Sequence, residues 1–201
     1  MLDLVSVFAF AYFGAHAGLE RGFTVLGILT CAFLPALGGG TIREMMLGHV
    51  PTYFHNYTYG LMVVMAVIFA LITQYVTVVK RYMYILDALG MAVFAYLGTR
   101  AALRAGLGVS GSMLFAVLTA CGGGILCDIV TGRRPHAFTN RWYAAPVLLL
   151  PVLLCALGGL AVSTPARLLV IGGIFTLQLT VTYQMFQNAE RRNAEVASGL
   201  G

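Results

Sequence analysis

The chain contains one plan written twice. Residues 2–54 align without a gap onto residues 86–138, at a constant offset of 84, and 20 of the 53 positions are identical. The matches include Asp3 with Asp87, Phe10-Ala11-Tyr12 with Phe94-Ala95-Tyr96, Gly14 with Gly98, Gly22 with Gly106, Gly48 with Gly132 and Pro51 with Pro135. A glycine triplet, Gly38-Gly39-Gly40, falls in register with Gly122-Gly123-Gly124. Apolar segments often share composition. An ungapped register that also matches acids, prolines and three consecutive glycines requires a shared backbone plan, so the fold must be built from two like halves.

Composition sets the solvent for those halves. Hydrophobic residues make up 60% of the chain and charged residues 9%, where a soluble domain carries about 25% charged residues. The chain therefore reads as an all-α integral membrane protein. A membrane barrel would show alternating segments of about ten residues, and these runs are longer and apolar on all sides. The net charge of +5 comes from twelve Lys and Arg spread over short loops and helix ends. That distribution fits membrane orientation, and no nucleic-acid partner is expected.

Seven segments approach the roughly 20 apolar residues that a spanning helix needs: 2–19, 22–48, 57–79, 83–104, 107–131, 142–163 and 166–187. Ala15-His16-Ala17 resembles a leader cleavage site. Asp3 in place of a basic residue, and the repetition of residues 2–19 at 86–103, instead indicate a retained first helix. Three helices form each repeat. Three is an odd number, so the second copy enters from the opposite face, and the repeats are inverted. One transmembrane domain, 1–187, is expected: repeat one 2–80, repeat two 86–163, and a single C-terminal helix 166–187 outside the repeats. Residues 188–201 read as a polar cytoplasmic tail. Eight Lys and Arg, including Lys80, Arg81, Arg133 and Arg134, fall on one side and four, Arg43, Arg100, Arg104 and Arg167, on the other. The richer side should be cytoplasmic, with the N-terminus outside.

The glycine triplets are the first candidates for function. Each glycine lowers helix propensity by about 1 kcal/mol, so a helix can kink or unwind there. Freed carbonyls then replace part of a cation's hydration shell. The alternative is close helix packing, as Gly14-x-x-x-Gly18 also suggests. Glu44 and Asp128 each follow four residues after the last glycine of a triplet, at matching positions. Acids at membrane depth usually face a cavity, although a side chain near a helix end can instead reach the surface. Arg43 neighbours Glu44, while the second repeat has Cys127 there, so the pathway would be net acidic with Arg43 limiting access. Asp3 and Asp87 read either as acids at helix N-termini or as charges at a pore mouth.

Other chemistry has little support. Cys31, Cys121, Cys127 and Cys155 lack C-x-x-C spacing and read as buried free thiols. His16, His49, His55 and His136 show no pairing at metal spacing. With no H-E-x-x-H, G-x-S-x-G or P-loop, no metal, cofactor or enzymatic activity is expected.

The doubled motif Asp-x₆-Phe-Ala-Tyr-x-Gly at Asp3–Gly14 and Asp87–Gly98, with Gly-Gly-Gly-x-x-Arg-acid-x₃-Gly-x-x-Pro at 38–51, resembles the prokaryotic trimeric intracellular cation (TRIC) channel family over residues 2 to about 187. The resemblance implies seven helices as 3+3 inverted repeats plus one, a homotrimer in the cell membrane, and one K⁺- and Na⁺-permeable pore per protomer between glycine-broken second and fifth helices. By position, the pore elements would be Gly38, Gly39, Gly40, Gly122, Gly123 and Gly124, with Arg43, Glu44 and Asp128 nearby. Cys127 departs from the pattern, in which a second Arg is usual. Lipid regulation known in animal relatives is not carried over. Some members of the same domain family are classed as glycine transporters. A secondary transporter of glycine or another small amino acid is therefore the alternative, and a structural membrane scaffold a third reading.

Overall fold

Glycine ends the helices at mate positions in the two halves. In the computed structural model, which describes residues 2–74, 83–139, 142–158 and 163–197, α1 spans Leu2–Glu20, α2 Val25–Met46, α3 Thr58–Thr73, α4 Met83–Arg104, α5 Val109–Val130, α6 Ala145–Ala156 and α7 Thr164–Ala197. Gly22 and Gly106 follow α1 and α4 with φ of 65° and 75°, and Gly48 and Gly132 follow α2 and α5 with φ of 72° and 67°. Left-handed backbone of this kind suits glycine and stops a helix. The closing bonds match as well: Phe23 N to Gly18 O with Leu107 N to Ala102 O, and His49 N to Glu44 O with Arg133 N to Asp128 O. Two of the twenty identities, four glycines in all, are thus helix-stop signals.

No strand occurs among the described residues. The seven helices form two inverted three-helix repeats plus one, with α7 packed on α4 and α6 at the edge. Four of the described helices contain stretches long and apolar enough to cross a membrane, Val25–Met46, Ile85–Arg104, Val109–Val130 and Pro165–Gln184. The α7 stretch is only 17% buried, which leaves its outer face for lipid or a partner. The described part of α3 ends at Thr73, and the end expected near residue 79 lies outside the described residues. Helix α6 covers 12 residues, because Pro146 opens it and Gly158, at φ 105°, ends it. Helix α7 runs on to Ala197, through most of the segment read as a tail.

The glycine triplets do not break their helices. Both α2 and α5 are continuous through them, which corrects the expectation of glycine-broken helices. The reason is physical. Freed backbone groups in hydrocarbon cost several kcal/mol each, more than the roughly 1 kcal/mol per glycine of lost propensity. The helix holds, and the missing side chains are spent on contact. A methyl group on Gly39 would sit 2.1 Å from the Thr119 carbonyl oxygen, and one on Gly123 would sit 2.4 Å from that of Leu34. Cα of Gly123 lies 3.3 Å from the methyl position of Gly38. Gly39 meets Thr119 and, one turn back on α2, Pro35 meets Gly123 one turn forward on α5. The helices therefore cross antiparallel, backbone to backbone, about the pseudo-twofold axis that relates the repeats. The first helices dock likewise: Gly14 lies against the Cys31 carbonyl and its mate Gly98 against that of Phe115.

Candidate functional site

The third glycine of each triplet behaves differently from the first two. Nothing lies within 4 Å of a methyl position on Gly40 or Gly124, and each faces a small chamber. Chamber one encloses about 50 Å³ and is lined by Asp3, Gly40, Arg43, Glu44, Tyr53 and Tyr59, together with Phe94 and Thr119 from the other repeat. Chamber two encloses about 30 Å³ and is lined by Asp87, Cys121, Gly124, Asp128, Ala137 and Tyr143, together with Phe10 and Pro35 from the other repeat. Shifting one set by 84 residues gives most of the other: Asp3 with Asp87, Gly40 with Gly124, Glu44 with Asp128, Tyr59 with Tyr143, Phe94 with Phe10. The chambers are mates on either side of the α2–α5 seam.

Each chamber holds an acid fixed by a phenol. Tyr59 donates to Asp3 at 2.6 Å, and Tyr143 donates to both oxygens of Asp87 at 3.0 and 3.1 Å. Asp87 is 8% exposed and lies beyond the first turn of α4, so it does not serve a helix N-terminus. Glu44 and Asp128 sit in the last turns of α2 and α5, where their carbonyls close the caps. Their side chains nevertheless turn inward: Glu44 is 17% exposed and Asp128 5%.

The electrostatics break the symmetry. In chamber one the Arg43 guanidinium reaches Glu44 Oε1 through Nη2 at 2.7 Å and Nε at 2.9 Å, and His49 Nδ1 lies 3.4 Å from Glu44 Oε2. Chamber two contains two carboxyl groups and no basic side chain among its lining residues. The mate of Arg43, Cys127, turns away into the seam, where its thiol donates to the Cys31 carbonyl at 3.4 Å. That carbonyl lacks the usual amide partner four residues on, because position 35 is proline. Chamber one has one further polar group in reserve. Thr119 lines the chamber, and its buried hydroxyl, packed beside Gly98, finds no hydrogen-bond partner among the described residues. Phe10, from the wall of chamber two, and Phe94, from the wall of chamber one, meet with their rings tilted by 52° and centroids 5.1 Å apart.

The structure brings the acids and glycines singled out from the sequence to one helix crossing, and it divides the glycines between two places where the sequence suggests one role. Gly38, Gly39, Gly122 and Gly123 form the seam, while Gly40 and Gly124 form chamber walls. Tyr59, Tyr143, Thr119, Phe10 and Phe94 were missed as chamber residues. The tyrosines carried a signal, since their spacing is again 84, five residues beyond the matched block. Two histidine pairs also depart from expectation. His16 Nδ1 lies 3.4 Å from Glu20 Oε1 one turn on, besides His49 with Glu44. Glu20 in turn takes an ion pair from Arg133. No group of three or more metal-ligating side chains occurs among the described residues.

Comparison with known proteins agrees with the doubled architecture. The family model described as "Glycine transporter" matches residues 1–75 and again 84–159, and the chain belongs to that family. The UPF0126 membrane protein YvgT of Bacillus subtilis is 30% identical over 171 residues, covering 81% of this chain and 78% of the relative. A UPF0126 membrane protein of Deinococcus radiodurans is 32% identical, covering 70% and 66%. Among solved structures, the TRIC trimeric intracellular cation channel orthologue from Rhodobacter sphaeroides superposes with TM-score 0.81 at 26% identity, covering 94% of this chain and 96% of that one. A second TRIC cation channel structure gives TM-score 0.77 at 26% identity. This chain is thus a multi-pass membrane protein with the TRIC channel fold.

Proposed function

We propose that the chain is a monovalent-cation channel, permeable to K⁺ and Na⁺, with one pore per protomer that passes the α2–α5 seam by way of the two chambers. The observation that carries this reading is the mate pair of chambers itself: each offers two carboxyl groups and a bare glycine backbone on opposite sides of one helix crossing. Carboxyl groups and backbone dipoles at membrane depth favour cations. Neighbours described as cation channels share the fold over nearly their whole length.

In this mechanism Asp87 and Asp128 hold a cation in chamber two, and Asp3 and Glu44 hold one in chamber one. Arg43 reduces the attraction of chamber one by occupying Glu44. The Thr119 hydroxyl supplies an oxygen ligand on the far wall, and the Phe10–Phe94 pair separates the chambers until the seam opens. The assembly is a homotrimer in the inner membrane, with bound lipid around α3 and α7 and the C-terminus cytoplasmic. No catalytic step is involved. Gly38, Gly39, Gly122 and Gly123 act through the seam, and Gly40 and Gly124 through the pathway wall.

A second reading rests on chamber one alone. Its guanidinium and two carboxyl groups could hold both ends of a zwitterion, as a transporter of glycine or another small amino acid requires. Purified protein in liposomes separates the two. The channel gives rapid K⁺ flux down a gradient and no glycine uptake. Saturable glycine accumulation with negligible uncoupled K⁺ flux overturns it.

A further inference from the structure

The α2–α5 seam carries a thiol pair that the chambers do not use. Successive contacts along the seam pair Gly39 with Thr119, Pro35 with Gly123 and, one turn further, Cys31 with Cys127. Cys31 is fully buried and Cys127 is 2% exposed. They share a small cluster with Ala17 that is separate from the main core. The Cys127 thiol reaches the Cys31 backbone carbonyl at 3.4 Å, so the two residues meet directly across the seam. The pseudo-twofold mate of this pair is Phe115 with Arg43, so the other end of the seam has no such chemistry. At the same end, Glu20 pairs with Arg133, and the Arg21 guanidinium donates to the Gly132 carbonyl at 3.5 Å. Every link there joins repeat one to repeat two.

We propose that Cys31 and Cys127 are a redox-modifiable staple, which a membrane-soluble organic hydroperoxide converts to a disulfide that locks α2 to α5. One thiol sulfur attacks the peroxide, the O–O bond breaks, and an alcohol leaves with a proton. The resulting sulfenic acid is displaced by the second thiol, with loss of water. Two thiols are oxidised by two electrons in total, and the hydroperoxide is reduced to alcohol and water. The apolar surroundings select an oxidant that partitions into lipid, and a covalent bond between the crossing helices opposes any parting of the seam.

The effect on flux rests on the channel reading; the chemistry of the pair does not. The experiment treats the full-length protein in liposomes with cumene hydroperoxide, then maps disulfides by peptide mass spectrometry and measures K⁺ flux before and after a reductant. The expected result is an intramolecular Cys31–Cys127 disulfide and a K⁺ flux lowered at least fivefold, restored by the reductant, with no such loss in Cys127→Ala or Cys31→Ala. Oxidation that spares this pair, or a Cys31–Cys127 disulfide that leaves flux unchanged, overturns the staple. Absence of K⁺ flux from the reduced protein contradicts the channel reading, and the mass map then still decides whether the pair is oxidised.

Discussion

The Tyr59 hydroxyl donates to the Asp3 carboxylate at 2.6 Å, and 84 residues later Tyr143 makes the same bond to Asp87. A phenol at the start of the third helix of repeat one, and just before that of repeat two, thereby fixes an acid from the first helix at the wall of a chamber. Tyr143→Phe leaves the buried Asp87 carboxyl, and Tyr59→Phe the half-buried Asp3 carboxyl, without that donor, a loss of about 1–3 kcal/mol. Thermal unfolding in detergent should show both variants destabilised. Tyr143→Phe should be the more harmful, because Asp87 is the more buried acid and Tyr143 donates to both of its oxygens.

The division within each glycine triplet gives a sharper test. Gly39→Ala and Gly123→Ala place a methyl 2.1 and 2.4 Å from a carbonyl oxygen, and overpacking of this kind costs about 1–3 kcal/mol or more. Gly40→Ala and Gly124→Ala meet nothing and replace glycine in a helix, which adds about 1 kcal/mol of propensity. The first pair should unfold at lower temperature than the wild type and the second at the same or higher temperature. The second pair should nevertheless conduct less, since the methyl projects into a chamber.

This division also shows how far the sequence could be read. The repeat was plain, and Gly22, Gly48, Gly106 and Gly132 turned out to be helix stops at its matched positions. Broken helices were expected from Gly38–Gly40 and Gly122–Gly124 because propensity argues for them. Hydrocarbon overrides propensity, since it offers the freed backbone no water, and two glycine faces in register can bury each other. That outcome depends on where α2 meets α5, which no local pattern encodes. Glu44 and Asp128 were legible as acids in long apolar runs. Thr119 was not, because a threonine in an apolar helix looks the same whether or not its hydroxyl bonds back to its own helix.

Arg43 sets the difference between the chambers. Arg43→Ala removes the lone basic side chain among the residues lining chamber one and should raise K⁺ flux on the order of tenfold, equivalent to about 1.4 kcal/mol of barrier. Asp128→Asn removes one of the two carboxyl groups lining chamber two and should lower flux by a similar factor. Liposome flux at matched protein density measures both. The same change from both variants, in either direction, would contradict the charge asymmetry.

The Glu20–Arg133 pair joins the repeats but is partly exposed, with side chains 45% and 25% accessible. Exposed ion pairs contribute about 0.2–1 kcal/mol, so Glu20→Gln should shift stability by no more than that. The shift should shrink further at 1 M salt, where screening acts within about 3 Å.

Reversal potentials in planar bilayers under a K⁺ gradient, for the wild type, Glu44→Gln and Asp128→Asn, test most directly whether ions pass through both chambers. The account predicts a wild-type reversal near the K⁺ equilibrium potential, moved toward zero by each substitution and further by Asp128→Asn, because no basic side chain lines chamber two. Selectivity that stays fixed when both acids are neutralised, or the absence of current from well-folded wild-type protein, would contradict it.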